Sequence, residues 1–213
     1  MKKSIFAISL AFALASCGGN AENKEAKETV QQPEKTAEVC TYSYSAENTV
    51  VSWTAFKTTA KVGVGGKFDQ FTISGVEASE DPTKVFANAK FDIPVGTVNT
   101  ENPDRDKKIV DHFFGTFTDT KSITGSVSHI DGDSATFSIE MNGVANEVTG
   151  HFSVEGETVT LSTTIDLGNW QGEAAVKALN DVCNDLHKGE DGVSKLWPNV
   201  DVKIETTLTK ECK

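Results

Sequence analysis

Thr158-Val159-Thr160-Leu161-Ser162-Thr163-Thr164-Ile165-Asp166-Leu167 alternates without a break. Val159, Leu161, Thr163, Ile165 and Leu167 fall on one side, and Thr158, Thr160, Ser162, Thr164 and Asp166 on the other. A β-strand points successive side chains to opposite faces, so this stretch reads as a strand with one buried and one wet face. The same reading extends outward. In 135–142, Ala135, Phe137, Ile139 and Met141 oppose Thr136, Ser138, Glu140 and Asn142. In 200–208, Val200, Val202, Ile204 and Leu208 oppose Asp201, Lys203, Glu205 and Thr207. In 85–93, Val85, Ala87, Ala89, Phe91 and Ile93 oppose Phe86, Asn88, Lys90 and Asp92. Further strands are expected at 49–57, 64–74, 120–129 and 146–154. Asp131-Gly132-Asp133, Asn142-Gly143 and Glu155-Gly156-Glu157 supply short hairpin turns between them. About eight antiparallel strands, each with one apolar face, must pair as two sheets or close on themselves, and closure removes the exposed edges.

Two stretches depart from alternation. Asp104 to Phe114, after Pro103, is expected to form a short helix with Ile109, Val110 and Phe113 on one side. Glu173 to Lys188 is expected to be a longer one, ended by Gly189. Val176, Leu179, Val182, Cys183 and Leu186 recur there at helical spacing, a stripe that packs on the barrel or caps one end.

The N-terminus has its own pattern. Lys2 and Lys3 precede an apolar run from Ile5 to Leu14, and Ala15 and Ser16 precede Cys17. Basic, apolar, then small is the order of a secretory signal peptide, and the run is too short for a membrane span. Leu14-Ala15-Ser16-Cys17 resembles the lipobox of bacterial lipoproteins. That resemblance implies cleavage after residue 16, acyl chains on Cys17 as the lipid attachment site, and a membrane anchor in the cell envelope. The alternative is an ordinary signal peptide with a chance cysteine. Gly18 stands where an Asp would retain a lipoprotein at the inner membrane of enteric bacteria, which favours the outer membrane, facing the periplasm or the surface. Residues 18–39 mix Gly18, Gly19, Asn20 and Pro33 with alternating Glu and Lys, and read as a flexible tether. Residues 40–213 remain as one domain.

Without residues 1–16 the chain carries 18 basic and 31 acidic residues, a net charge of −13. That excludes a basic face for nucleic acid and disfavours attraction of the domain to anionic lipid. Three cysteines remain beyond Cys17, so at most one intramolecular disulfide forms. Cys40 precedes the first strand and Cys212 follows the last. In a closed barrel those ends are neighbours, which favours a Cys40–Cys212 disulfide with Cys183 buried and free, against three free thiols. His112, His129, His151 and His187 show no metal-ligand spacing, so no metal or cofactor is expected. Cys183 and His187, four apart, are the one pair that suggests nucleophilic chemistry. No G-x-S-x-G, phosphate loop or dinucleotide fingerprint occurs, and the chain is not read as an enzyme.

Three ordered stretches carry a resemblance. They are Gly65-Gly66-Lys67-Phe68-Asp69-Gln70-Phe71, running to Gly75; Val98-Asn99-Thr100 with Arg105-Asp106 and Asp111-His112-Phe113-Phe114; and Phe137 to Val148 around Met141-Asn142-Gly143-Val144. In this order they resemble the YceI-like family of bacterial exported proteins, over about residues 42–167. The resemblance implies an all-β, eight-stranded antiparallel lipocalin-like barrel with an elongated apolar cavity. It implies a long apolar amphiphile, such as a polyprenyl lipid or quinone, as partner. The segment 115–120 lacks the tyrosine-proline step usual in the family, and helix 173–188 is an insertion near the C-terminus. Phe68, Phe71, Phe113 and Phe114 are cavity candidates, equally readable as core. Phe91, Phe137 and Phe152 are inward positions that alternate with small neighbours. Arg105, the only arginine, is a head-group candidate or the partner in a salt bridge that pins its loop. Trp53, Trp170 and Trp197 are core or mouth residues. Two functions therefore stand: a tethered carrier of a long amphiphile, or a structural and interaction protein whose barrel is filled by its own side chains. The oligomeric state is open, a homodimer included.

Overall fold

The computed structural model describes residues 38–118 and 120–213. The lipidation signal, Cys17 and most of the tether lie outside them. The first strands are β1 (Cys40–Ser43), β2 (Thr49–Lys57), β3 (Val62–Phe68), β4 (Thr72–Ser74), β5 (Lys90–Pro94) and β6 (Val98–Asn99). They are followed by β7 (Ser122–Asp131), β8 (Ser134–Met141), β9 (Val144–Glu155), β10 (Thr158–Asp166), β11 (Leu196–Thr207) and β12 (Thr209–Cys212). Two α-helices are α1 (Pro103–Lys108) and α2 (Glu173–Val182).

Ten strands form one antiparallel sheet in the order β4-β5-β7-β8-β9-β10-β11-β2-β3-β6, so the strand count differs from the eight expected. The reason is that two paths are bent. β3 runs into β4, and β5 runs into β6 through a tight turn at Val95–Thr97. Phe68 pairs with Val98 and Ile73 with Phe91, and Asp69 N donates to Thr97 O at 2.9 Å between them. The two bent paths thus lie side by side, and the ends of the sheet meet as an eight-stave barrel. β1 and β12 form a separate two-stranded clasp closed by the Cys40–Cys212 disulfide, and Cys183 is free and buried.

Alternation holds in β8 and β10. In β8, Ala135, Phe137, Ile139 and Met141 are all buried. It fails at 85–89. Asp81 accepts hydrogen bonds from Thr83 N and Thr83 Oγ1, and Pro82 starts a helical turn. Val85 and Phe86 are both buried, Ala87 is exposed, and the strand begins only at Lys90. Local capping overrides a period-two pattern here.

The helix expected over 173–188 is shorter. α2 ends at Val182, and a tighter turn covers Asn184–His187. The change of pitch moves the buried stripe to Ala175, Cys183 and His187, leaving Val182 and Leu186 in solvent. The 104–114 segment is also divided. Asn102 caps α1 by accepting from Arg105 N, and a wider helical turn follows at Ile109–Phe113.

The barrel has two distinct poles. Thr49 pairs with Thr206 at the pole that carries the clasp, and Lys57 pairs with Leu196 at the pole that carries α1 and α2. Val85, Phe86, Ala89, Ala135, Phe152, Val159 and Leu208 make one buried cluster toward the clasp. A larger cluster reaches toward the helices and includes Phe114, Phe117, Met141, Leu167 and Trp170.

Candidate ligand cavity

The inward faces of the staves do not fill the barrel. They enclose a cavity of about 240 Å³. Its lining runs the length of the molecule, from Thr49, Phe86 and Thr206 at the clasp pole to Val176, Leu179, Leu196 and Trp197 at the helix pole. Along β11 alone it extends from Leu196 to Thr206. That is roughly 33 Å of strand at ~3.3 Å per residue, or about 25 Å along an axis tilted ~40°. A volume so small over such a length is a narrow bore, shaped for an extended chain rather than a compact ring system.

At the helix pole Ile109, Phe113, Val176, Leu179, Leu196 and Trp197 are all partly exposed, whereas toward the clasp Phe86, Ala89, Ala135, Phe152 and Val159 are buried and Ile73, Val127 and Ile130 half-buried, so the bore opens mainly toward the helix pole. β11 loses regular register on β2 between Leu196 and Val200, where Trp197 and Pro198 sit, and this irregularity shapes the opening. Two glycines make room for large lining rings. A Cβ on Gly66 would lie 2.3 Å from the Trp53 ring, and one on Gly125 would lie 2.2 Å from Phe91.

Among the described residues no charged side chain lines the cavity. The hydroxyls there are occupied: Thr49 and Thr206 share a 2.7 Å hydrogen bond, Thr163 donates to Thr149 O, and Ser52 donates to Lys203 O. The Trp53 indole N–H is different. Its nitrogen is buried and has no hydrogen-bond partner. A buried unpaired donor costs roughly 1–3 kcal/mol, so it is a position where an acceptor oxygen gains.

Six of the eight residues singled out in the sequence line the cavity: Phe68, Phe91, Phe113, Phe114, Phe137 and Phe152. Phe71 is half-buried and packs on the core from outside the lining. Arg105 stands exposed on α1, outside the lining, and forms no ion pair among the described residues. Its loop is pinned instead by Asp106, whose Oδ1 accepts from Thr100 N at 2.8 Å and Thr100 Oγ1 at 2.6 Å. Asn99 joins the same frame by donating to Asp69 Oδ2 at 2.8 Å. Asn142, in the β8–β9 turn, accepts from Thr118 N and donates to Trp170 O. These motif residues are structural ties around the helix pole. Trp170 is fully buried, and its Nε1 donates to Ile139 O at 3.0 Å.

Phe114 packs edge to face on Phe113 and Phe117, which are tilted against each other, beneath α2, with ring centroids 4.9–6.2 Å apart. Phe117 was not singled out in the sequence; its spacing from Phe113 and Phe114 was the available signal. His187 is buried where the 184–187 turn meets the barrel. Its Nδ1 donates to Asn180 Oδ1 at 2.9 Å, since a carbonyl oxygen can only accept. Burial, then the charges of Lys57 and Lys108, push its pKa below the usual 6.5. No hydrogen bond joins the Cys183 and His187 side chains among the described residues, so the sequence pair does not assemble as a nucleophile and base. Among the described residues no group of three His, Cys, Asp or Glu is placed to hold a metal.

A closed antiparallel barrel around a narrow apolar bore has room to enclose one small apolar ligand. The model of the YceI-like domain family matches residues 42–208, and this chain belongs to that family. The model of the prokaryotic membrane lipoprotein lipid attachment site matches residues 1–17, which marks a lipid-anchored envelope protein. Comparison with curated proteins gave no match. Two solved structures share the fold. A polyisoprenoid binding domain from Saccharophagus degradans, implicated in plant cell wall breakdown, is similar at TM-score 0.55 and 15% identity, covering 83% of this chain and 99% of that one. Burkholderia cenocepacia BcnA is similar at TM-score 0.51 and 16% identity, covering 79% and 99%.

Proposed function

We propose that the barrel sequesters or carries the apolar chain of a long amphiphile, of the polyprenyl lipid or quinone type, while Cys17 tethers it to the outer membrane. The single observation that carries this reading is the long, narrow, uncharged bore of about 240 Å³. A barrel filled by its own side chains would leave no such space. The Saccharophagus degradans neighbour, described as polyisoprenoid binding, supports the same class of ligand. Gly18 after Cys17 supports the outer membrane.

The driving force is burial, at about 25 cal/mol per Å² of apolar surface. The bore is slightly smaller than the ~300–1,000 Å³ usual for ligand pockets. A chain of many isoprene units therefore leaves its end at the helix pole, or displaces α2. A phosphate head finds no cation in the lining and stays at the opening. A neutral carbonyl can enter and accept from Trp53 Nε1. No bond is made or broken; the mechanism is capture and release.

Lipid extracted from natively purified protein and weighed by mass spectrometry tests this. One long amphiphile per chain is expected. Ala55→Trp, which places a large ring in the lining, should cut its occupancy at least several-fold while circular dichroism stays unchanged. Quantitative spectra with no lipid, or an Ala55→Trp variant as loaded as the parent, would overturn the reading.

A further inference from the structure

Large apolar side chains that stand in solvent are not spread evenly over the described residues. Of six, four lie at the helix pole: Val62 at 48%, Val182 at 41%, Leu186 at 61% and Val193 at 50%. The chain gathers them. Lys57 Nζ donates to Leu186 O at 3.0 Å, Thr59 Oγ1 to Asp191 Oδ2 at 2.7 Å, and Thr58 N to Lys195 O at 2.8 Å. The β2–β3 turn and the 182–195 segment therefore form one surface beside the opening of the bore.

The charge of that surface differs from the rest. Residues 57–62 and 182–195 hold Lys57, Lys61, Lys188 and Lys195 against Asp185, Glu190 and Asp191, a balance of +1 in a chain of net charge −11. Lys188 is paired with Asp185. Lys57, Lys61 and Lys195 have no carboxylate partner among the described residues; Lys61 and Lys195 lie over the Trp197 ring instead. Exposed aliphatic tips, unpaired lysines and a tryptophan together make the composition of an interfacial membrane contact.

The anchor leaves this geometry free. The tether joins the barrel at the clasp, at the other pole. Its 22 residues, 18–39, reach at most about 75 Å, whereas the longest stave, twelve residues, covers about 40 Å. Either pole can therefore face the bilayer that holds Cys17, and the surface chemistry decides between them.

We infer that the helix pole is a membrane-docking face, with Val62, Val182, Leu186 and Val193 entering the headgroup layer of an anionic phospholipid surface and Lys57, Lys61 and Lys195 meeting its phosphates. This goes beyond the carrier function and does not require it, since extracted lipid and docking are read separately. Docking would press the opening of the bore against the bilayer.

The test uses the lipidated full chain anchored in phosphatidylethanolamine–phosphatidylglycerol vesicles. An environment-sensitive fluorophore is attached at Leu186→Cys, and in a second sample at Val50→Cys, exposed near the clasp pole. The unsubstituted protein, with Cys183 buried, controls for labelling. A nitroxide-bearing phospholipid is expected to quench the Leu186 probe several-fold more than the Val50 probe. Val193→Asp should remove the difference without changing circular dichroism, and phosphatidylcholine in place of phosphatidylglycerol should shrink it. Equal quenching at both positions would overturn the inference. So would a Leu186 probe shielded from an aqueous quencher yet untouched by the lipid nitroxide, which would mark a protein-binding face.

Discussion

At the clasp pole, Cys40 is bonded to Cys212 and Val85, Phe86, Phe152 and Leu208 are sealed from solvent. At the helix pole, Val176, Leu179, Leu196 and Trp197 line a bore that stays partly open, and Val182 and Leu186 stand in water. Both poles end the same staves, yet one is closed by covalent and apolar contacts while at the other Val176 and Leu179 of α2 only partly cover the bore. Under the proposed function, the disulfide-closed pole would hold the staves in register while the ligand enters at the other.

The largest expected effect comes from opening the closed pole. The Cys40–Cys212 bond joins residues 172 apart, and removing it with Cys40→Ser and Cys212→Ser should lower stability by about 2–5 kcal/mol. Urea unfolding reads that loss. The opening at the other pole should still load lipid, so a variant that loses lipid in proportion to stability would dissolve the division of labour between the poles.

A smaller effect of mixed sign is expected inside the bore. Trp53→Phe removes the buried N–H that lacks a partner. Stability should be unchanged or rise by up to ~1 kcal/mol, while affinity for a ligand with a neutral acceptor head falls about 3–10-fold, as for one hydrogen bond. Titration with a polyprenyl quinone and with a plain hydrocarbon of equal length separates the two. Only the quinone should weaken.

The smallest effect is a pH dependence confined to the helix pole. Burial of His187 favours its neutral ring, with Lys57 and Lys108 adding to the shift and Asn180 accepting from Nδ1. The unfolded chain binds the proton more readily than the folded one. Stability is therefore complete above the unfolded pKa of about 6.5 and declines as pH falls from there toward the lower folded value. Hydrogen exchange at 180–195 should quicken as pH drops from ~7 to ~5 after correction for intrinsic rates, with the clasp pole unchanged. His187→Gln should flatten the response.

Much of this was legible in the chain. The alternation at 135–142 and 158–167 is strict because each residue has a barrel interior on one side and water on the other, and β8 and β10 follow it. The Asn142-Gly143 turn is equally readable, because both residues take positive φ, 53° and 70°, as a tight hairpin requires. The pattern misled at 85–89, where the Asp81 cap and Pro82 form a turn that buries neighbours rather than alternate residues. It also misled at 182–186, where a change of helical pitch sends two apolar residues outward. Arg105 drew attention by its rarity, but rarity says nothing about direction, and its side chain lies outside the bore.

By itself the sequence determined most of the strands, the Asn142-Gly143 hairpin and the lipidation signal, since each depends on residues close in the chain. The tertiary structure alone decided that β3–β4 and β5–β6 bend so the sheet can close, that the bore remains unfilled, and that Trp53 N–H faces no partner. It also decided that β1 lies at the clasp pole while the half-buried lining gathers mainly at the other. Those facts depend on how side chains far apart in sequence share one enclosed volume, and no local pattern encodes the space left between them.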